Sequence, residues 1–292
     1  MFPTEIIVGV DGSAGSSQAL RWAAQEAAYR GVDLVVLHVY DWRIYGAASP
    51  IGARFVTDAR GAAEAAVQAA IAEVSAFAPT VRVRGEALLG GAGPTLVAGS
   101  GHGAMTVVGS RGRNGFAALV LGSVSQQVAT HAAGPVVVVR GRSDPRGPVM
   151  VGADGSAGAD EALRLAFEEA ANRGVGVLAV RVYHPAEPPW GLGELPYVED
   201  ATERRDVERV ALAEDVAPWH DKFPDVPVET VALDGHPAEV LAGVSGRASL
   251  LVVGTRGRGG FASLLLGSVG VAVLHHADCP VMIARRHEGL PC

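Results

Sequence analysis

Polar and apolar positions along this chain fall into two alternating kinds of run. The first kind is short and rich in β-branched and other apolar residues: 6–10 (Ile-Ile-Val-Gly-Val), Val32–Tyr40, Met105–Gly109 and Pro135–Arg140, with Val81–Leu88 a run of the same length that also carries Arg82, Arg84 and Glu86. Runs of this length and composition predict strands buried on both faces. Between them the apolar residues recur at helical spacing. Ala19, Leu20, Ala23 and Ala27 share one face of a helix from about Ser16 to Arg30, with Gly31 as its stop. An alanine-rich helix follows from about Thr57 to Phe77, a short one opens near Pro94, and another at Gly122-Ser123. The order β-α-β-α-β-α-β-α-β predicts a parallel sheet covered by helices on both faces.

The same order then begins again. Val149-Met150-Val151-Gly152-Ala153-Asp154-Gly155-Ser156 answers Ile7 to Ser13, and Val180-Arg181-Val182-Tyr183 answers Leu37-His38-Val39-Tyr40. A long helix from Glu199 to Phe223, a strand from Val226 to Leu233 and a last strand from Cys279 to Ala284 complete the second copy. The pattern is a duplicated domain rather than a solenoid. It divides into a first domain at 1–141, a proline- and glycine-bearing linker at 142–148, a second domain at 149–286 and a tail at 287–292. The copies diverge most at 41–55 and 184–198.

One stretch is kept almost intact in both copies. Residues 107–124 read VVGSRGRNGFAALVLGSV and residues 252–269 read VVGTRGRGGFASLLLGSV, identical at fourteen of eighteen positions. The shared skeleton is Gly109, Gly112 and Gly122-Ser123, then Gly254, Gly257 and Gly267-Ser268. Glycine lets backbone amides approach a ligand closely. Ser123 and Ser268 stand where a helix N-cap would, beside donors suited to an anion. Arg111, Arg113, Arg256 and Arg258 add forks that match phosphate oxygens. A single short glycine pattern could equally be a plain turn, but its recurrence in register favours phosphate binding. Asp11 and Asp154 end the first strand of each copy, at the sheet edge where α/β proteins bind ligands. Each could accept from ribose hydroxyls or hold a Mg²⁺ bridging to phosphates, or could cap the helix that follows.

Composition narrows the chemistry. Net charge is −7 and no dense basic run occurs, which argues against a nucleic-acid binder. Lys222 is the only lysine beside 23 arginines, so neither glycine loop can be a lysine-bearing P-loop. Cys279 lies in an apolar pattern and Cys292 ends the chain, which speaks against a disulfide framework. The nine histidines are scattered, and His275-His276 has no third ligand at metal spacing. Glu168-Glu169 and Glu203 to Glu208 read as solvated helix faces. No signal-like start or spanning-length apolar run is present, so the expected location is cytoplasmic, with no membrane partner.

With these pieces in order, twice, the chain resembles a tandem universal stress protein over nearly its whole length. The strand-end aspartate, the glycine skeleton with its nine-residue gap, and the pieces His131-Ala132-Ala133-Gly134-Pro135-Val136 and His276-Ala277-Asp278-Cys279-Pro280-Val281 carry the resemblance. It implies two Rossmann-like domains of the adenine nucleotide alpha hydrolase type, each a five-stranded parallel sheet in the order 3-2-1-4-5, and one ATP per domain. By that analogy Asp11 and Asp154 face ribose and metal, and Val39 and Val182 present backbone to adenine. Val108, Gly109, Arg111, Gly112, Gly122, Ser123 and Val124 hold the phosphates in the first domain. Val253, Gly254, Arg256, Gly257, Gly267, Ser268 and Val269 are their counterparts. Ser125 would add a hydroxyl contact, whereas its counterpart is Gly270, so the second site is expected to be weaker.

The function this implies is an ATP-binding regulator of stress response, dormancy or growth, acting with little or no turnover through a protein partner, with homodimerisation open. No residue is assigned a catalytic role, since no general base stands beside the glycine loop. The alternative is an enzyme with slow ATPase or nucleotidyl-transfer activity, for which 41–55 and 184–198 are the only room for a second substrate.

Overall fold

The computed structural model describes residues 5–41, 50–101, 105–112, 121–142, 146–183, 201–258 and 265–286. Residues 42–49, 184–198 and the tail at 287–292, which include most of the two divergent segments, lie outside that set. Two compact units divide the chain. The first takes in residues up to Arg140 together with those from Pro280 onward, and the second runs from Gly141 to Cys279.

In the first unit β1 (Glu5–Gly9), α1 (Ala14–Arg30), β2 (Asp33–Tyr40), α2 (Pro50–Phe77), β3 (Val83–Leu89), α3 (Ala92–Gly99), β4 (Met105–Gly109), α4 (Ser123–His131) and β5 (Val136–Val139) alternate. Its parallel strands lie in the order β3-β2-β1-β4-β5, as the resemblance implied. The second unit repeats the scheme with β6 (Val149–Gly152), α5 (Ala157–Arg173), β7 (Val177–Tyr183), α6 (Ala201–Lys222), β8 (Val228–Asp234), α7 (Pro237–Val244), β9 (Leu250–Gly254) and α8 (Ser268–His276). Its parallel order is β9-β6-β7-β8. The fifth strand of the second repeat, β10 (Val281–Ala284), belongs to the first unit instead. There it pairs antiparallel with β5, Val281 opposite Val138 and Ile283 opposite Val136. The first unit's sheet thus gains an antiparallel sixth strand, and the second unit alone keeps four.

Local chemistry sets the element ends. The Ser13 hydroxyl accepts the Ser16 N–H at 3.1 Å and caps α1, which therefore starts at Ala14 rather than Ser16. Gly31, at φ 63°, stops it. Ser156 and Gly174 do the same for α5. The helix α2 reaches back to Pro50 rather than Thr57, with proline at its first position, where no intrahelical N–H is needed.

The inner strands are buried on both faces, and all four residues of β5 are inaccessible or nearly so; β3 and β8 instead alternate partly covered and exposed residues, which corrects the expectation of two buried faces for Val81–Leu88. Two buried serines pin the turns that precede the last strands. Ser100 donates to the Val97 carbonyl at 2.6 Å and accepts the Ala133 N–H at 2.9 Å. Ser245 donates to the Ala242 carbonyl at 2.6 Å and accepts the Asp278 N–H at 2.8 Å. The repeated His-Ala-x-x-Pro-Val segment is thus a turn held by the serine that ends α3 in the first repeat and α7 in the second.

Charge is buried where the helical pattern reads as solvated. Glu169 is fully buried, paired with Arg173 at 3.1 Å, and Glu26 pairs with Arg30 at the equivalent place in α1. Glu208, on α6, accepts from buried Arg181 at 2.7 Å. These correct the expectation of solvated faces for Glu169 and Glu208, whereas Glu168 pairs with Arg164 near the surface. In the first unit, burial pushes the Arg285 guanidinium down to about 10, and its Nη2 donates to the Ala129 and Thr130 carbonyls at 2.7 and 2.9 Å. That places a cation at the carbonyl end of α4, the favourable end for it. No helix among the described residues is long and apolar enough to cross a membrane.

Two substitutions separate these buried polar groups. Glu169→Ala leaves Arg173 without its buried carboxylate and should cost on the order of 3 kcal/mol in chemical denaturation. Thr106 is fully buried, and its hydroxyl has no partner among the described residues. Thr106→Val keeps the shape and removes that hydroxyl, so it should be neutral or add up to about 1 kcal/mol.

Candidate functional site

In the first unit the chain winds outward from β1 through β2 to β3, then returns to lay β4 on the other side of β1. Strand order reverses between β1 and β4, and the loops at their carboxyl ends part there. A cavity of about 630 Å³ opens at this point, within the size range of small-molecule sites. It is lined by Asp11 from the end of β1, Val39 from β2, Val108, Gly109, Arg111 and Gly112 from β4 and its loop, and Gly122, Ser123, Val124 and Ser125 from the start of α4. Every first-repeat residue expected at the site except Arg113, which lies outside the described residues, borders this one space.

The start of α4 differs in detail from the sequence reading. Gly122 is the N-cap and Ser123 is the first helical residue; Gly267 and Ser268 stand likewise at α8. The N-cap of each helix is a glycine and supplies no side-chain cap. Ser125 is buried, and its hydroxyl donates to the Gly109 carbonyl at 2.6 Å, tying α4 to the end of β4. Gly270 leaves the second repeat without that tie.

The glycines do two separate jobs. A Cβ on Gly109 would lie 2.6 Å from the Gly15 carbonyl oxygen, and one on Gly15 would lie 2.7 Å from the Arg111 oxygen. Gly254 and Gly158 oppose each other and the Arg256 oxygen in the same way. Gly109 and Gly254 therefore let backbone pack on backbone between the β4 or β9 loop and the start of α1 or α5. This is a competing use for part of the skeleton that spacing alone conceals. Gly112 and Gly257 are different. Neither has positive φ, and a Cβ there would lie 2.5 or 2.4 Å from Oδ2 of Asp11 or Asp154. Their lack of a side chain makes room for the aspartate carboxylate beside the loop.

Asp11 also builds its own turn, accepting the Ser13 N–H on Oδ1 at 3.0 Å, and Asp154 accepts from Ser156 identically. The capping reading of these aspartates therefore holds, and Asp154 also accepts the Arg258 N–H on Oδ2 at 2.9 Å. Each aspartate also borders the cavity of its repeat.

The second unit has its cavity at the same switch point, but of only about 110 Å³. Asp154, Val182, Val253, Gly254, Arg256, Gly257 and Val269 line it, whereas Gly267 and Ser268 do not. Sequence reasoning passed over several polar residues of the first cavity: Ser16, His38, Tyr40 and Asp41. Their counterparts Ala159 and Arg181 differ in chemistry, and that contrast between aligned repeats was the available signal. Of the aromatics, Trp219 donates from Nε1 to Asp160 at 2.9 Å and carries Lys222 over its ring.

Comparison with known proteins identifies the family and the fold. The model of the Universal stress protein family matches residues 4–140 and again 145–285. A universal stress protein of Mycobacterium tuberculosis is 38% identical over 291 residues, covering 96% of this chain and 97% of its own. One from Mycolicibacterium smegmatis is 36% identical over 297 residues, covering 96% of each. Among solved structures, a universal stress protein from Archaeoglobus fulgidus has the same fold, with a TM-score of 0.68 at 20% identity over 98% of this chain and 97% of its own. The chain belongs to the universal stress protein family, and each of its two repeats matches that family separately.

Proposed function

We propose that the first-repeat cavity binds ATP and that the protein works as a nucleotide-dependent regulator with little or no turnover. The observation that carries this reading is the cavity of about 630 Å³ at the β1–β4 switch point, closed on one side by the start of α4, which lacks a side-chain cap. Backbone donors and a positive dipole end suit phosphates there. Arg111 supplies a cation from the loop, Asp11 an acceptor for ribose, and the end of β2 at Val39 backbone for the base edge. A Mg²⁺ would be held by Asp11 together with the phosphates, a ligand set that suits this ion. When bound it would neutralise phosphate charge. Among the described residues no group of three or more His, Cys, Asp or Glu gathers to hold a metal alone.

The second repeat carries the same residue types around a much smaller space, so its site is the weaker of the two. Occupancy of the first site would bias shape, and through it self-association or the choice of a protein partner, by binding one conformation better than another. The cytoplasm, where ATP is abundant, is the compartment this reading implies.

Calorimetric titration of the full chain with Mg-ATP should show one tight equivalent and a second, weaker one; a folded protein that releases no heat would sink the proposal. Turnover measured alongside should be negligible over the time needed for binding, and fast phosphate release would favour the enzymatic alternative. The glycines give a sharper test. Gly112→Val drives its side chain into the Asp11 carboxylate and should remove the tight equivalent with circular dichroism unchanged. Gly109→Ala meets rigid backbone instead and should lower stability by about 1–3 kcal/mol. Equal ATP affinity in Gly112→Val and the parent would contradict the assignment.

A further inference from the structure

The helix whose start borders the first cavity is gripped at its far end by a residue from the second repeat. α4 runs nine residues, from Ser123 beside the cavity to His131. Carbonyls in the last turn of a helix have no partner within it. Two of them are taken by Arg285, whose Nη2 donates to Ala129 at 2.7 Å and to Thr130 at 2.9 Å. Arg285 directly follows β10, the strand that pairs with β5 inside the first unit. At the cavity end Ser125 ties α4 to the Gly109 carbonyl, and the Gly122 N–H donates to the Ser110 carbonyl at 2.8 Å. The helix is therefore seated at both ends, and the seat farther from the cavity is a cation.

Packing does not account for that cation. Burial lowers its proton affinity, and no carboxylate among the described residues pairs with it. Its Nη1 is buried with no acceptor among the described residues. A buried charge with an unsatisfied nitrogen costs the fold more than a neutral side chain of the same length would. An unsatisfied group of this kind calls for a reason beyond stability. What the guanidinium does meet is the carbonyl end of α4, where the helix dipole is negative. The positive end of the same helix opens on the cavity.

We infer that Arg285 is a positioning residue for the first nucleotide site, holding α4 where its first-turn amides can meet phosphate. The inference rests on the ATP reading of that cavity and adds a residue that does not line it. At 1.5 Å per residue, α4 sets the guanidinium about 13 Å from the phosphate end, so Arg285 touches no ligand. Two effects run in the same direction. Charge-assisted bonds fix the end of a short, stiff helix, and a shift at Ala129 is then a shift at Ser123. Aligned peptide groups also polarise one another, so a cation on the carbonyl end strengthens the N–H end as a donor. Hydrogen bonds weaken steeply off line, so the seat of α4 decides how many amides reach phosphate oxygens. Asp11 and Val39, proposed for ribose and base, come from β1 and β2 rather than α4. Arg285 thus tunes affinity for the phosphates and not for the nucleoside. The site in the first repeat is completed by a residue that the second repeat supplies.

Calorimetry on the full chain, following the tight equivalent with Mg-ATP and with adenosine as separate probes, tests this. Arg285→Met should weaken Mg-ATP binding about three- to ten-fold, the reach of a charge at a helix end, and leave adenosine binding unchanged. Arg285→Lys keeps the charge and should recover most of the loss. Arg285→Gln, which keeps a donor without the charge, serves the same comparison if the methionine variant does not fold, as circular dichroism will show. Undiminished Mg-ATP affinity in a folded neutral variant would overturn the inference. Equal weakening of Mg-ATP and adenosine would overturn it too, because Arg285 would then be a prop of the whole unit. So would a lysine variant as weak as the neutral ones. A parent chain that binds no Mg-ATP would sink the ATP reading first, and this inference with it.

Discussion

Backbone laid directly on backbone is the contact on which the rest of each site depends. At Gly109 and Gly15, and again at Gly254 and Gly158, the loop leaving the fourth parallel strand meets the start of the first helix with no side chain between them. Interiors pack at near-crystalline density, so such an approach fixes positions to tenths of an ångström. It brings together two segments about a hundred residues apart in the chain. One carries the strand-end aspartate and its Asp-Gly-Ser turn; the other carries the glycine loop and, beyond it, the helix whose first turn lacks a side-chain cap. Without that contact, Asp11 and Gly112 would have no reason to face one another.

Much of this was legible in the residues. Most of the β-branched runs are short and apolar, as strands buried on both faces are, and the duplicated skeleton pointed to the loop at the switch point. The aspartates at the ends of β1 and β6 fell where a sheet edge offers a ligand its site. What could not be read were properties that exist only across the fold. The job of Gly109 depends on Gly15, and nothing near either glycine announces the other. Gly112 reads as a flexible turn residue, yet its backbone is ordinary and it is small because a carboxylate occupies the space.

Charged residues misled for a related reason. On a helical pattern, Glu169 looks like any solvated glutamate, because sequence spacing shows an arginine four residues on but not the sheet beneath both. Burial there converts a surface pair of little value into one whose halves cannot be separated cheaply. Arg181 is a similar case. In a strand it resembles an outward-facing polar residue, and only the position of α6 makes it the anchor for two acids. Differences between otherwise parallel repeats, such as His38 against Arg181 or Ser125 against Gly270, mark where the two copies have diverged in chemistry.

The placement of β10 has a bearing on how the molecule comes into being. This strand, near the end of the chain, lies beside β5 within the first unit, so Val136 must wait for Ile283 before its partner exists. During synthesis the first unit can assemble its five parallel strands early, but its β5 edge has no β10 beside it while the whole second repeat is made. A long-range pairing of this kind is slow to form, and an unpaired apolar edge invites strangers meanwhile. The four-residue length of β5 keeps that exposed template short. A strand made long after β5 is therefore the one that finishes the first unit.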